Sequence, residues 1–101
     1  MPTRATARDR YLRRKYGISE EDYELLYEAN DGRCWICGAR PKNRRLHVEH
    51  SHKTKKVRGL ACWNCNAGLA RFKDYPFILR RAADYLESDD ADLILRKDTD
   101  A

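Results

Sequence analysis

The sequence has little that is apolar and no long hydrophobic run. Of its 101 residues, 37% are charged, only two are Phe and one is Met. No stretch approaches the roughly 20 apolar residues that a membrane-spanning helix needs, so no membrane partner is expected. The opening residues, M-P-T-R-A-T-A-R-D-R, carry basic groups without the apolar segment of a secretory signal. A reducing, cytoplasmic setting is therefore the default expectation, and there cysteines seldom pair as disulfides. A chain this short, with so little to bury, is one small domain whose core alone is marginal. Scaffolds of that kind generally carry a staple.

What is present supplies one. The four cysteines form two Cys-x-x-Cys pairs, Cys34/Cys37 in C-W-I-C-G and Cys62/Cys65 in C-W-N-C-N. One such pair is ambiguous with a redox motif, but two with matched spacing point to a tetrahedral Zn²⁺. Four thiolates close that coordination sphere, so the zinc is structural and its binding contributes folding free energy.

All three histidines, His47, His50 and His52, fall between the pairs in L-H-V-E-H-S-H. Near neutral pH an imidazole can take a proton from water. Glu49, beside His50, offers a carboxylate and Asn66, just past the last cysteine, an amide oxygen. Oxygen donors of this kind suit Mg²⁺ or Mn²⁺. The combination is what metal-assisted phosphodiester hydrolysis requires, with His50 as general base. Adjacent side chains on a regular strand face opposite ways, so Glu49 and His50 can share a site only where the strand ends or bulges.

Charge agrees with a polyanionic partner. The net charge is +5, and residues 40–58 hold eight Lys or Arg against a single acid, Glu49. Arg44, Arg45, Lys53, Lys55, Lys56 and Arg58 are the candidate phosphate contacts with DNA.

Periodicity and turn chemistry predict the elements. Residues 1–16 read as a basic N-terminal arm or short helix, with Tyr11, Leu12 and Tyr16 as its few apolar contacts. Ser19 caps a helix running to Asn30, with Tyr23, Leu26 and Tyr27 on one face and Asp22 approximating a capping box. Leu46–His50 and Lys56–Ala61 read as a hairpin, in which Gly59 marks a bulge or the close approach of another backbone. A short helix follows the second cysteine pair, with Leu69 and Phe72 facing inward. Pro76 starts a last helix, with Asp74 as its N-cap, whose broad apolar face is expected to pack on the Tyr23–Tyr27 helix. Residues 88–101 read as a frayed acidic tail around the apolar Leu93–Leu95. The fold class expected is small α+β, mainly helical: a zinc-bound, treble-clef-like ββα-metal core with flanking helices. Residues 17–87 form the functional domain.

The stretches Y-G-I-S-E-E-D-Y-E-L-L, C-W-I-C-G, L-H-V-E-H-S-H, K-V-R-G-L-A-C-W-N-C-N-A-G-L and R-R-A-A-D-Y-L, between Tyr16 and about Leu86, resemble the recombination endonuclease VII family of phage HNH nucleases. The resemblance implies zinc on Cys34, Cys37, Cys62 and Cys65. It places catalytic Mg²⁺ on Glu49 and Asn66, makes His50 the general base, and has His52 assisting at the metal or phosphate. It implies a DNA endonuclease leaving 5′-phosphate and 3′-hydroxyl ends, acting in the host cytoplasm, with a homodimer and phage packaging or recombination proteins as candidate partners. The chain departs from the family pattern at Glu49 and Ser51, where Asp is usual, and at Lys55, where Gly is usual. A non-catalytic zinc-finger module for nucleic acid would account for the cysteines and the basic segment but leaves His50, Glu49 and Asn66 unexplained. A zinc-ribbon protein adaptor leaves the basic centre unexplained as well.

Overall fold

The computed structural model describes residues 6–42 and 45–96. Helix α1 (Ala7–Tyr16) begins at Thr6, whose hydroxyl accepts from the Asp9 N–H, and ends at the left-handed Gly17. Helix α2 (Glu20–Ala29) starts in a full capping box. Ser19 Oγ accepts from the Asp22 N–H and Asp22 Oδ2 from the Ser19 N–H, both at 2.9 Å. Asp thus does what Glu or Gln usually does at this position. Gly32 closes the far end at φ +68, and a Cβ there would lie 2.8 Å from the Tyr27 ring, so only glycine fits.

Strands β1 (His47–His50) and β2 (Val57–Ala61) pair antiparallel into a two-stranded sheet. Helix α3 (Trp63–Arg71) follows at once and packs against both strands. Its N-cap is Cys62, whose sulfur accepts from the Cys65 N–H. Helices α4 (Pro76–Glu87) and α5 (Asp90–Leu95) complete the chain. The result is a small α+β protein, about half helical.

Leu12, Tyr23, Cys34, Leu46, Val48, Leu60 and Ala61 form the core. It joins α1, α2, the first cysteine turn and the sheet. The N-terminal helix is a fuller part of the fold than its composition suggests, because Leu12 is only 1% exposed. Asp9 ties α1 to α2 by accepting from the Glu20 N–H at 2.8 Å. The Tyr23 hydroxyl donates to the buried Leu46 carbonyl at 2.7 Å, and the Arg8 guanidinium lies 4.6 Å over the Tyr23 ring.

Several expectations are corrected. Helix α4 does not pack on α2, which is covered by α1 and β2 instead. No residue of α4 is buried, and Phe77, Tyr85 and Leu86 are exposed. The molecule is accordingly elongated, 82 × 29 × 19 Å. Phe72 is also exposed, while Leu69 is half-buried. Tyr75, not Asp74, is the N-cap of α4, because the Asp74 carboxylate is engaged elsewhere. Residues 90–95 of the expected frayed tail form α5, with Leu93, Ile94 and Leu95 exposed. Arg44, and the tail beyond residue 96, lie outside the described residues.

Candidate metal centre and histidine hairpin

The two Cys-x-x-Cys turns are brought together by the hairpin between them. The Trp35 N–H donates to the Leu60 carbonyl at 3.0 Å, which stitches the first turn to β2. The Trp35 ring lies where a Cβ on Gly59 would stand, 2.6 Å away. Gly59 therefore reflects the close approach of a side chain, beside the bulge that its sequence position suggested.

The four sulfurs of Cys34, Cys37, Cys62 and Cys65 all lie within 4.8 Å of one another. Cys37 Sγ and Cys62 Sγ are 3.8 Å apart. A tetrahedron of Zn–S bonds of ~2.3 Å has S···S edges of about 3.8 Å, so the donor set fits zinc. Backbone N–H groups of Ile36 and Cys37 point at Cys34 Sγ, at 3.4 and 3.5 Å, and that of Ala39 at Cys37 Sγ. Burial pushes the Cys34 thiol up, but N–H groups of Cys37, Cys62 and Ile36 outweigh it and bring it down to about 6. Burial and the neighbouring cysteines push Cys65 up. A cluster that holds one thiol low and another high is one that a cation would complete by displacing the remaining protons.

The hairpin carries the rest. Its register runs His47↔Ala61, Val48↔Leu60, Glu49↔Gly59, His50↔Val57, which leaves Arg58 as the extra residue of a β-bulge. The irregularity falls between Glu49 and His50, as a shared site requires. Glu49 is buried at 6% exposure, and the Arg58 guanidinium grips its carboxylate with two hydrogen bonds, Nε to Oε2 at 2.8 Å and Nη2 to Oε1. The same Nη2 reaches the His50 carbonyl at 3.3 Å and Asp74 Oδ1 at 3.4 Å. The bulge thus turns Arg58 onto Glu49, while its side chain stays 40% exposed. The Glu49 hydrogen bonds outweigh burial and hold Arg58 firmly protonated.

His50 is half-buried, with the Tyr16 ring 5.4 Å and the His52 ring 5.5 Å from its own. Burial first, then His52, Lys55 and Arg58, lower its proton affinity, against an opposing pull from Glu49. These surroundings therefore favour the neutral imidazole of His50. His47 is half-buried on β1, and Asn66 is half-buried on the first turn of α3, directly after Cys65.

Asp74 went unrecognised as a site residue. Its Oδ2 lies 2.8 Å from His52 Nδ1 and 3.3 Å from the His52 backbone N–H. Burial raises its proton affinity, but His52 and Arg58 more than reverse this and keep it below the usual carboxylate range. Asp74 thereby links the two groups, Glu49–Arg58 and His50–His52. The only signal in the sequence is an acid just before Pro76, which reads equally well as a cap.

Arg45, Lys53, Lys55 and Lys56 are exposed. Ser51 organises the turn that presents the lysines, its hydroxyl accepting from the Lys53 and Thr54 N–H groups at 3.2 and 3.1 Å. Lys55 adopts a left-handed φ of +67 where glycine would be unstrained.

Among the described residues, no helix is long and apolar enough to cross a membrane. No solved structure matches the chain. Over 73 residues it is 48% identical to the Gene 59 protein of Mycobacterium phage D29. Over 73 residues it is 45% identical to the Gene 59 protein of Mycobacterium phage L5. Each match covers 70% of this chain and 44% of the relative, so the chain spans under half the length of these proteins. The recombination endonuclease VII profile matches residues 9–88, which include the cysteine cluster, the bulged hairpin and α3. The chain therefore belongs to the recombination endonuclease VII family, a family of nucleases.

Proposed function

We propose that the chain is an HNH-type, metal-dependent endonuclease that hydrolyses phosphodiester bonds of duplex or branched DNA, nicking or cleaving it. The observation that carries this reading is the bulge between Glu49 and His50, set on a hairpin that α3 packs against. Zinc on Cys34, Cys37, Cys62 and Cys65 holds that ββα unit and takes no part in the chemistry. Neutral His50 takes the proton of the attacking water. Glu49 and Asn66 are the oxygen donors for Mg²⁺ or Mn²⁺. An ionised carboxylate has about four lone-pair sites, and Arg58 uses two, so Glu49 keeps capacity for a cation. When bound, that cation polarises the phosphate and stabilises the leaving oxygen. His52 assists at the phosphate. Arg45, Lys53, Lys55 and Lys56, together with Arg44, track the DNA backbone, while Arg58 divides its charge between Glu49, Asp74 and the incoming phosphate.

The exposed apolar side chains of α4 and α5 suit a second copy of the chain or another phage protein, and the setting is the host cytoplasm. A second reading, a non-catalytic nucleic-acid-binding module, is favoured by Arg58, which already neutralises Glu49 in this structure.

The test incubates zinc-loaded protein with supercoiled and branched DNA, with and without Mg²⁺ or Mn²⁺, beside His50→Ala. The wild type is expected to cut only with the divalent metal, and His50→Ala to fold and bind DNA without cutting. Binding without cutting by the wild type under every metal overturns the nuclease reading in favour of the binding module.

A further inference from the structure

The segment after α3 makes an uncommon turn. Lys73 and Asp74 are consecutive non-glycine residues in the left-handed region, at φ +56 and +58. Such residues are strained and persist where surrounding contacts hold them. The contacts here are specific. The Lys73 and Asp74 N–H groups donate to the Ala70 and Leu69 carbonyls, both at 2.9 Å. This folds the chain back and delivers the Asp74 side chain to the hairpin 22 residues earlier in sequence. Its carboxylate, 13% exposed, receives both the backbone N–H and the ring Nδ1 of His52. The His52 side chain is itself 58% exposed. Its other ring contact is with His50, at 5.5 Å between centroids.

An ionised carboxylate can only accept hydrogen bonds, so the proton between the two groups sits on His52 Nδ1. In the neutral imidazole this leaves the lone pair on Nε2. Arg58 Nη2, 3.4 Å from Asp74 Oδ1, keeps the carboxylate charged. It does so without completing a hydrogen bond to that buried oxygen.

We propose that Asp74 is a positioning residue of the nuclease site: it fixes the orientation and the Nδ1–H tautomer of His52, so that Nε2, with its lone pair, is the nitrogen left open to a cation or a proton donor at the site. The inference rests on the nuclease reading for the role of His52, but the tautomer itself is independent of catalysis. It also explains why this strained turn lies next to the hairpin. Removing the carboxylate partner of a metal-ligating histidine costs ~10–100-fold in metal affinity or activity, and the same scale is expected for Asp74.

The experiment uses the whole zinc-loaded chain, labelled with ¹⁵N-histidine, in wild-type, Asp74→Asn and Asp74→Gly forms. Asn tolerates the left-handed backbone and retains an acceptor oxygen. Gly relieves the strain and removes the acceptor, so the turn survives in both. Long-range ¹H–¹⁵N spectra at a pH where His52 is neutral report the tautomer, and DNA cleavage gives kcat and KM. Wild type and Asp74→Asn are expected to show Nδ1–H, and Asp74→Gly to shift toward Nε2–H. In Asp74→Gly, kcat is expected to fall by ~10–100-fold with KM nearly unchanged. Nε2–H in the wild type, or Nδ1–H retained in Asp74→Gly, overturns the proposal. If the wild type cuts no DNA, the nuclease reading fails while the spectra still decide the role of Asp74.

Discussion

Arg58→Ala tests whether a divalent cation can take the place of the guanidinium on Glu49. The Glu49 side chain is 8% exposed and receives two charge-assisted hydrogen bonds from Arg58. Such bonds contribute ~1.5–3 kcal/mol each when shielded, and breaking a fully buried pair costs ~3–5 kcal/mol. The Arg58 side chain is 40% exposed, however, so water screens much of the interaction and can enter the vacated space. We therefore expect Arg58→Ala to destabilise the zinc-loaded, otherwise metal-free protein by ~1–3 kcal/mol. In a domain of this size each kcal/mol lowers Tm by ~4–8 °C. If Glu49 is also a ligand for Mg²⁺ or Mn²⁺, the divalent ion replaces the missing guanidinium. A ligand at 100 times its Kd stabilises by ~2.7 kcal/mol, so Mn²⁺ should raise the Tm of Arg58→Ala by more than that of wild type. The assay is thermal unfolding followed by circular dichroism, without chelator so that zinc stays bound, and with Arg58→Ala/Glu49→Gln as the control that loses the metal effect. Equal Mn²⁺ shifts in wild type and Arg58→Ala would refute the reasoning, as would unchanged stability of the variant without Mn²⁺.

Four other outcomes are expected. Gly59→Ala sets a Cβ 2.6 Å from the Trp35 ring and should cost ~1–3 kcal/mol in denaturant unfolding, less when combined with Trp35→Ala. Lys55→Gly relieves a left-handed φ of +67. It should stabilise by about 0.5–1 kcal/mol in the same assay, because the relief exceeds the added chain entropy of glycine. Zinc chelation, or Cys62→Ala, should abolish the cooperative transition, since structural zinc supplies ~10–16 kcal/mol in small domains; a folded, cooperative apo-protein would contradict this. DNA affinity should fall steeply with salt, and neutralising any one of Lys53, Lys55 or Lys56 should flatten the log K against log[salt] slope by about 0.9 if that lysine contacts a phosphate.

Local chemistry was legible because it depends on neighbours in sequence. Ser19 and Asp22 announce a helix start, Gly32 its end, and the two Cys-x-x-Cys pairs a four-sulfur cluster. Gly59 could be flagged as special, but the Trp35 ring that requires it comes from 24 residues earlier. The apolar face of α4 misled for a related reason. Periodicity shows that a face exists and not what covers it, and α1 had already taken the surface of α2. Leu12 was undervalued because one buried leucine among arginines gives almost no periodic signal.

The same division runs through the site. Sequence alone determined the four thiolates and the histidine hairpin and named Glu49 and Asn66 as candidate oxygen donors, since residue type and spacing set which groups are available. Only the tertiary structure decided how they are partnered. The bulge turns Arg58 onto Glu49, and a left-handed turn after α3 carries Asp74 back to His52. Both depend on contacts between distant segments, where burial and charge pairing select a partner that no local pattern names.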